Sequence, residues 1–207
     1  MKSSVLIVAE GEHELTGDRP DPALKTLVRR LLGDGIDMQA TVKRSREVSG
    51  HTHAGKGDRL GRKFIGIVQF AEREGFDAVV ILMDHDGDNT RLKSATYAQE
   101  AMLTSFPRAV GIAVRAFDAW ILADHVALSS VLATTFDMQP NPEAISDPKK
   151  VCESLRDAAG GEWRLRDLYS AFAAIVDLRI LRARCSTGFA AFAERVEGLK
   201  SALSRDV

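Results

Sequence analysis

Between Val79 and Asp88 an unbroken apolar run gives way to three aspartates at alternate positions: Val79-Val80-Ile81-Leu82-Met83-Asp84-His85-Asp86-Gly87-Asp88. Five apolar residues without alternation describe a strand buried on both faces, of the kind that fills the middle of a parallel sheet with helices on either side. Asp84 then leaves at the strand's carboxyl end, where open α/β sheets hold their ligands. Carboxylates a few Å apart repel by roughly 1 kcal/mol in water and by about 4 kcal/mol at an effective dielectric near 20. The three must therefore spread into solvent, take up protons or share a cation. The cation is the expectation. The bland alternative is that the aspartates only cap the next helix, a task for which one carboxylate suffices.

The rest of the first half supports a parallel α/β sheet. Val5-Leu6-Ile7-Val8-Ala9 is a second continuous apolar run and ends at Glu10-Gly11-Glu12-His13-Glu14. Asp21 before Pro22 reads as a helix N-cap, and Leu24, Leu27, Val28, Leu31 and Leu32 form a helical stripe stopping at Gly33. Asp37 to Lys43 alternates weakly and predicts a strand nearer the edge. Residues 43–63 lose the hydrophobic pattern and collect Lys43, Arg44, Arg46, Lys56, Arg59, Arg62 and Lys63 among several glycines, which reads as a mobile basic loop. Leu60, Phe64, Ile67, Val68 and Ala71 mark a helix ending at Gly75; another starts at Asn89 or Thr90, and Val110 to Val114 is a further strand. Strands alternating with helices call for right-handed crossovers and a Rossmann-like sheet. After Phe117-Asp118-Ala119-Trp120 the pattern is helical throughout, including stretches over 149–157 and 165–175 and an apolar face on Phe189, Phe192, Val196, Leu199 and Leu203. The expected organisation is an α/β core over residues 1–125 and a helical extension over 126–207.

Composition excludes some functions. With 207 residues, 45% of them apolar, the chain can bury a core, and no stretch approaches the roughly 18 apolar residues of a membrane span. No signal-peptide pattern precedes the first strand, so the cytoplasm is the expected location. Cys152 and Cys185 have no zinc-type spacing and read as buried thiols. A net charge of -1 argues against a uniformly basic nucleic-acid binder, leaving local fields to decide.

Glu10 closes the first strand as Asp84 closes a later one, so the two can meet at one edge if the strands are adjacent. Glu14 can lie one turn away on the same side, with Gly11 permitting a sharp bend. Oxygen donors of this kind suit Mg²⁺ or Mn²⁺. The set expected to hold metal is Glu10, Asp84 and Asp86, supported by Asp88, Glu14 and Asp118, with Glu10, Asp84 and Asp86 catalytic. Lys56, Arg59, Arg62, Lys63 and Arg115 are the expected clamps on substrate phosphates, against the plainer reading of a solvated connection. Asp118 follows a strand, with Asp124 one to two helical turns beyond it; a carboxylate there can reach a second metal or orient Arg115, the plainer reading being a helix-start aspartate. His13, His51, His53 and His85 are not named catalytic, and Trp120 is expected in the core. An EF-hand is excluded, because with Asp84 as the first loop position the glycine falls at the fourth instead of the sixth and Ala95 stands where the final glutamate belongs. Lys56 lacks the spacing of a Walker A loop. Asp84-His85-Asp86-Gly87-Asp88 also resembles the nucleophile motif of haloacid-dehalogenase-like phosphatases, save that Asp88 replaces threonine.

Glu10-Gly11-x-x-Glu14 and Asp84-x-Asp86, each at the end of a strand, resemble the TOPRIM domain shared by topoisomerases, primases and several nucleases. More closely, Ala113-Val114-Arg115-Ala116-Phe117-Asp118-Ala119-Trp120-Ile121-Leu122-Ala123-Asp124, Asp147-Pro148-Lys149-Lys150 and Cys185-Ser186-Thr187-Gly188-Phe189 resemble the RloG-like TOPRIM proteins, bacterial proteins of unknown function. The resemblance implies a Mg²⁺-dependent nuclease, with the first-strand glutamate also acting as general acid or base. It further implies a setting in antiviral or restriction systems beside an ATPase partner, and the related OLD-type nucleases use such domains to cut nucleic acid. The chain departs from the pattern at Asp118, where relatives usually carry glutamate, and at Ala9 and His13. A non-catalytic regulatory or scaffold subunit and a metal-dependent phosphatase are the competing expectations.

Overall fold

The computed structural model describes residues 2–16, 21–48, 59–101 and 105–204. Its first half alternates strand and helix: β1 (Ser3–Ala9), α1 (Ala23–Leu32), β2 (Met38–Arg44), a single turn α2 (Ser45–Val48), α3 (Arg59–Arg73), β3 (Ala78–Asp84), α4 (Thr90–Glu100) and β4 (Arg108–Ala113). The remainder is helical among the described residues: α5 (Asp118–Ile121), α6 (His125–Leu132), α7 (Pro148–Ala158), α8 (Leu165–Ile175), α9 (Leu178–Arg184), α10 (Phe189–Gly198) and α11 (Lys200–Leu203). The four strands are all parallel in the order β2-β1-β3-β4, a Rossmann-like arrangement with a helical C-terminal region.

The chain steps from β1 outward to β2, then returns to lay β3 on the other side of β1. Strand order therefore reverses between β1 and β3, and such a switch point opens a crevice at the carboxyl ends of the strands. Ala9 is opposite Leu82 and Asp84 is opposite Ala113, so Glu10, Asp84 and the segment after β4 all emerge at that edge.

Side-chain alternation divides the core into two layers. Val5, Ile7, Val80 and Leu82 face α1 and the C-terminal helices, whereas Leu6, Val8, Val79, Ile81 and Met83 face Phe64, Ile67, Val68 and Ala71 of α3 and Ala95 and Ala98 of α4. Both faces are dry, which is why the strands read as unbroken apolar runs. The C-terminal helices belong to the first layer: α8 lies on α1, and Arg30 of α1 donates to the carbonyls of Ala173 (2.8 Å) and Val176 (2.7 Å) at the end of α8. On β4, Phe192 of α10 sits so close to Gly111 that a Cβ there would approach its ring within 2.6 Å. Phe189, Phe192, Val196, Leu199 and Leu203 are all buried, on two helices that meet at Leu199.

Two local expectations need correction. Asp21 is not an N-cap: Pro22 occupies that position, and the Asp21 carboxylate reaches forward to Lys25 (2.9 Å) and Arg29 (2.8 Å). Arg59, Arg62 and Lys63 are not in a loop; they form the first turns of α3, because the stripe of Leu60, Phe64 and Ile67 extends the helix back to Arg59. Lys56, His51 and His53 lie outside the described residues. Both cysteines are free and buried, and no helix of the described residues is long and apolar enough to cross a membrane.

Candidate functional site

After β1 the backbone turns immediately, with the amides of Leu15 and Thr16 donating to the Glu12 carbonyl at 3.1 and 2.9 Å. The turn folds Glu14 back over Gly11, where a Cβ would lie 2.2 Å from the Glu14 carboxylate. The missing side chain at Gly11 is thus what admits Glu14 to the sheet edge. Glu14 is only 6% exposed, and its Oε2 has no hydrogen-bond partner among the described residues.

The loops after β3 and β4 are tied together. His85 N donates to the Ala113 carbonyl (2.9 Å), Asp86 N to the Arg115 carbonyl (3.2 Å) and Phe117 N to Asp84 Oδ1 (3.0 Å). This pairing holds Asp86 (φ 48°) and Arg115 (φ 65°) in the left-handed region beside Gly87 (φ 77°). Aspartate tolerates that conformation better than arginine does, and side chains held this way concentrate at functional sites. Asp118 begins α5, buried, with its Oδ1 accepting from the Tyr169 hydroxyl of α8 and its carbonyl facing the Cys152 thiol at 3.7 Å. His13 meets the edge of the Tyr169 ring at 6.2 Å between centroids.

The carboxylates fall into two groups. Glu14, Asp84 and Asp118 form the inner one. Burial, then repulsion from Glu14, pushes the Asp84 carboxyl up to about 8, with the Phe117 N–H opposing. Burial also lifts Glu14 to about 7, helped by Asp118 and Glu10 and countered by Lys149. Asp118 is raised by burial against the opposing hydrogen bond from Tyr169. Glu10 and Asp86 form the outer group, and both are engaged by Arg91, whose Nη1 lies 3.1 Å from Glu10 Oε2 and 2.9 Å from Asp86 Oδ2. The structure thus brings Glu10, Glu14, Asp84, Asp86 and Asp118 to one edge. It leaves Asp88 apart: that carboxylate accepts from Thr90 N (2.9 Å) and Thr90 Oγ1 (2.7 Å) at the start of α4, and these bonds hold it below the usual range. Asp124 caps α6, accepting from Ala127 N and Asp177 N, both at 3.1 Å.

Two clefts flank the edge. The first, about 410 Å³, is lined by Asp84, Asp86, Arg115, Asp118, Asp147 and Lys149. The second, about 560 Å³, is lined by Arg59, Asp88, Thr90, Arg91 and Lys93. Of the expected phosphate clamps, Arg115 lines the first and Arg59 the second, while Lys63 donates to Ser45 Oγ at 3.1 Å and Arg62 stays in the same turn of α3.

Arg91, Tyr169 and Lys149 were not legible as site residues, although two left a trace. A cation in the first turn of a helix opposes the helix dipole, so Arg91 is out of place in α4 unless carboxylates wait for it. Tyr169 stands among the mostly apolar buried residues of α8, and a buried tyrosine needs an acceptor.

For Mg²⁺ or Mn²⁺ the donor chemistry fits: the inner side chains are all carboxylates, they are desolvated, and one oxygen of Glu14 is unpartnered. Among the described residues no three His, Cys, Asp or Glu side chains converge as a ready metal cage. Glu10 and Asp86 pair instead with Arg91, Asp118 with Tyr169 and one Asp84 oxygen with Phe117 N. Comparison of the chain with protein-family models, curated proteins and solved structures gives no match in any of the three.

Proposed function

We propose that the carboxyl edge of the sheet is a divalent-cation site for hydrolysis of phosphodiesters in nucleic acid, in a TOPRIM-like domain. The observation that carries this reading is that Asp84 and Asp118 line one cleft at the switch point, with the buried Glu14 near enough to repel Asp84. Asp84 and Glu14 would hold Mg²⁺ or Mn²⁺, with Asp118, Glu10 and Asp86 in support. Such an ion supplies positive charge for a phosphoryl oxygen and a lowered pKa for bound water. Arg115 and Lys149, on the rim of the same cleft, would meet the phosphate charge. Glu14, with its carboxyl near 7, can give or take a proton at neutral pH.

The test is divalent-dependent cleavage of single- and double-stranded DNA and RNA by wild type and by the Glu14→Gln, Asp84→Asn double variant, with folding checked by circular dichroism. Loss of cleavage in a folded double variant is expected, and undiminished cutting under matched metal and salt would reject the assignment. One observation favours a non-catalytic regulatory or scaffold subunit: Arg91 already engages Glu10 and Asp86. On that reading the wild-type chain takes up no Mn²⁺ in a calorimetric titration.

A further inference from the structure

Arg91 is the second residue of α4 and lies seven positions beyond Asp84. Besides Glu10 and Asp86, its Nη1 donates to the Asp84 carbonyl at 2.5 Å. One guanidinium nitrogen therefore touches oxygens from the ends of both strands that flank the switch point. The same side chain lines the second cleft with Arg59, Lys93 and Asp88, whose carboxylate is held by Thr90, so it stands between the sheet-edge carboxylates and a cleft in which cations outnumber carboxylates. Its carboxylate partners are 41% and 54% exposed, and ion pairs of that exposure are weak enough to exchange.

We propose that Arg91 is a built-in counter-ion of the sheet edge, which gives up Glu10 and Asp86 to a divalent cation when a phosphate-like anion in the basic cleft draws the guanidinium away. This rests on the cation site proposed above. Anion and cation then load together. A divalent ion arriving alone must displace Arg91, whereas an anion beside Arg59 and Lys93 offers the guanidinium a bidentate partner and frees the carboxylates. Linkage makes the effect reciprocal: whatever factor the anion adds to cation affinity, the cation adds to anion affinity.

The test is calorimetric titration of the full chain with Mn²⁺, in sodium chloride and in sodium sulfate at matched ionic strength, for wild type and for Arg91→Gln. Sulfate is expected to tighten Mn²⁺ binding to wild type. Arg91→Gln is expected to bind Mn²⁺ roughly tenfold tighter than wild type in chloride and to show no response to sulfate. Equal affinities with an intact sulfate response in both proteins overturn the exchange and leave the cation site standing. Mn²⁺ binding that is absent from both proteins, or that survives the Glu14→Gln, Asp84→Asn double variant, overturns the site and the exchange together. If Arg91→Gln does not fold, Arg91→Lys serves; it keeps the charge, loses the fork, and is expected to weaken the sulfate response.

Discussion

The inner and outer carboxylates leave the same edge of the same sheet, yet they are electrostatic opposites. Glu10 and Asp86 stand in solvent and share Arg91, while Glu14, Asp84 and Asp118 are covered by Gly11, Phe117 and Tyr169. The difference teaches that an acidic motif acquires its chemistry from what covers it. Exposed carboxylates are stabilised by water and by the arginine they share, whereas desolvated ones hold a demand for positive charge that a proton or a metal ion must meet.

Removing the inner charges separates the two groups most sharply. Neutralising the inner pair in the Glu14→Gln, Asp84→Asn double variant should reduce divalent-dependent cleavage by about a thousandfold or more in a nuclease assay. The metal-free double variant should also melt higher than wild type at pH 8, where Glu14 is mostly ionised and Asp84 partly so, because that desolvated charge is removed.

A second effect is the pH dependence of stability without divalent ions. A carboxyl raised in the folded state holds its proton more tightly there than in the unfolded chain. Its contribution is therefore fully present below the unfolded pKa and is lost as pH rises through the folded one. The windows run from 4.5 to about 7 for Glu14 and from 3.8 to about 8 for Asp84. Chemical denaturation should show stability falling across pH 4 to 8, by roughly 3 kcal/mol for Glu14 alone. Magnesium ions should flatten the decline, and a flat profile without them would contradict the inner-group description.

Tyr169→Phe sharpens the boundary between the groups. It strips Asp118 of its buried donor at fixed ring packing and should cost about 1–3 kcal/mol at neutral pH, less at pH 4, by the same denaturation. Glu10→Gln or Asp86→Asn should shift stability by no more than about 0.5 kcal/mol, since both side chains are exposed. A loss from either outer variant as large as that from Tyr169→Phe would erase the distinction.

The architecture was open to sequence reading wherever burial on both sheet faces left no polar residue in a strand, as in Val5–Ala9 and Val79–Met83. It was equally open that Glu10 and Asp84 emerge at one edge, because parallel strands all end at the same edge of a sheet. Which carboxylates are desolvated was not legible. That depends on Tyr169, fifty-one residues beyond Asp118, and on the close approach of Glu14 to Gly11, neither of which has a local pattern. The glycine-rich, basic character of residues 43–63 also concealed that Arg59, Arg62 and Lys63 are helical, since the apolar positions that extend α3 are sparse at its start.

The most direct test is a carbon-13 NMR titration of the side-chain carboxyls. Glu14 and Asp84 should titrate with apparent midpoints near 7 and 8, and saturating Mg²⁺ should pull both down by a unit or more. Midpoints near 4 for both residues, indifferent to Mg²⁺, would contradict the claim that this sheet edge buries carboxylates awaiting a cation.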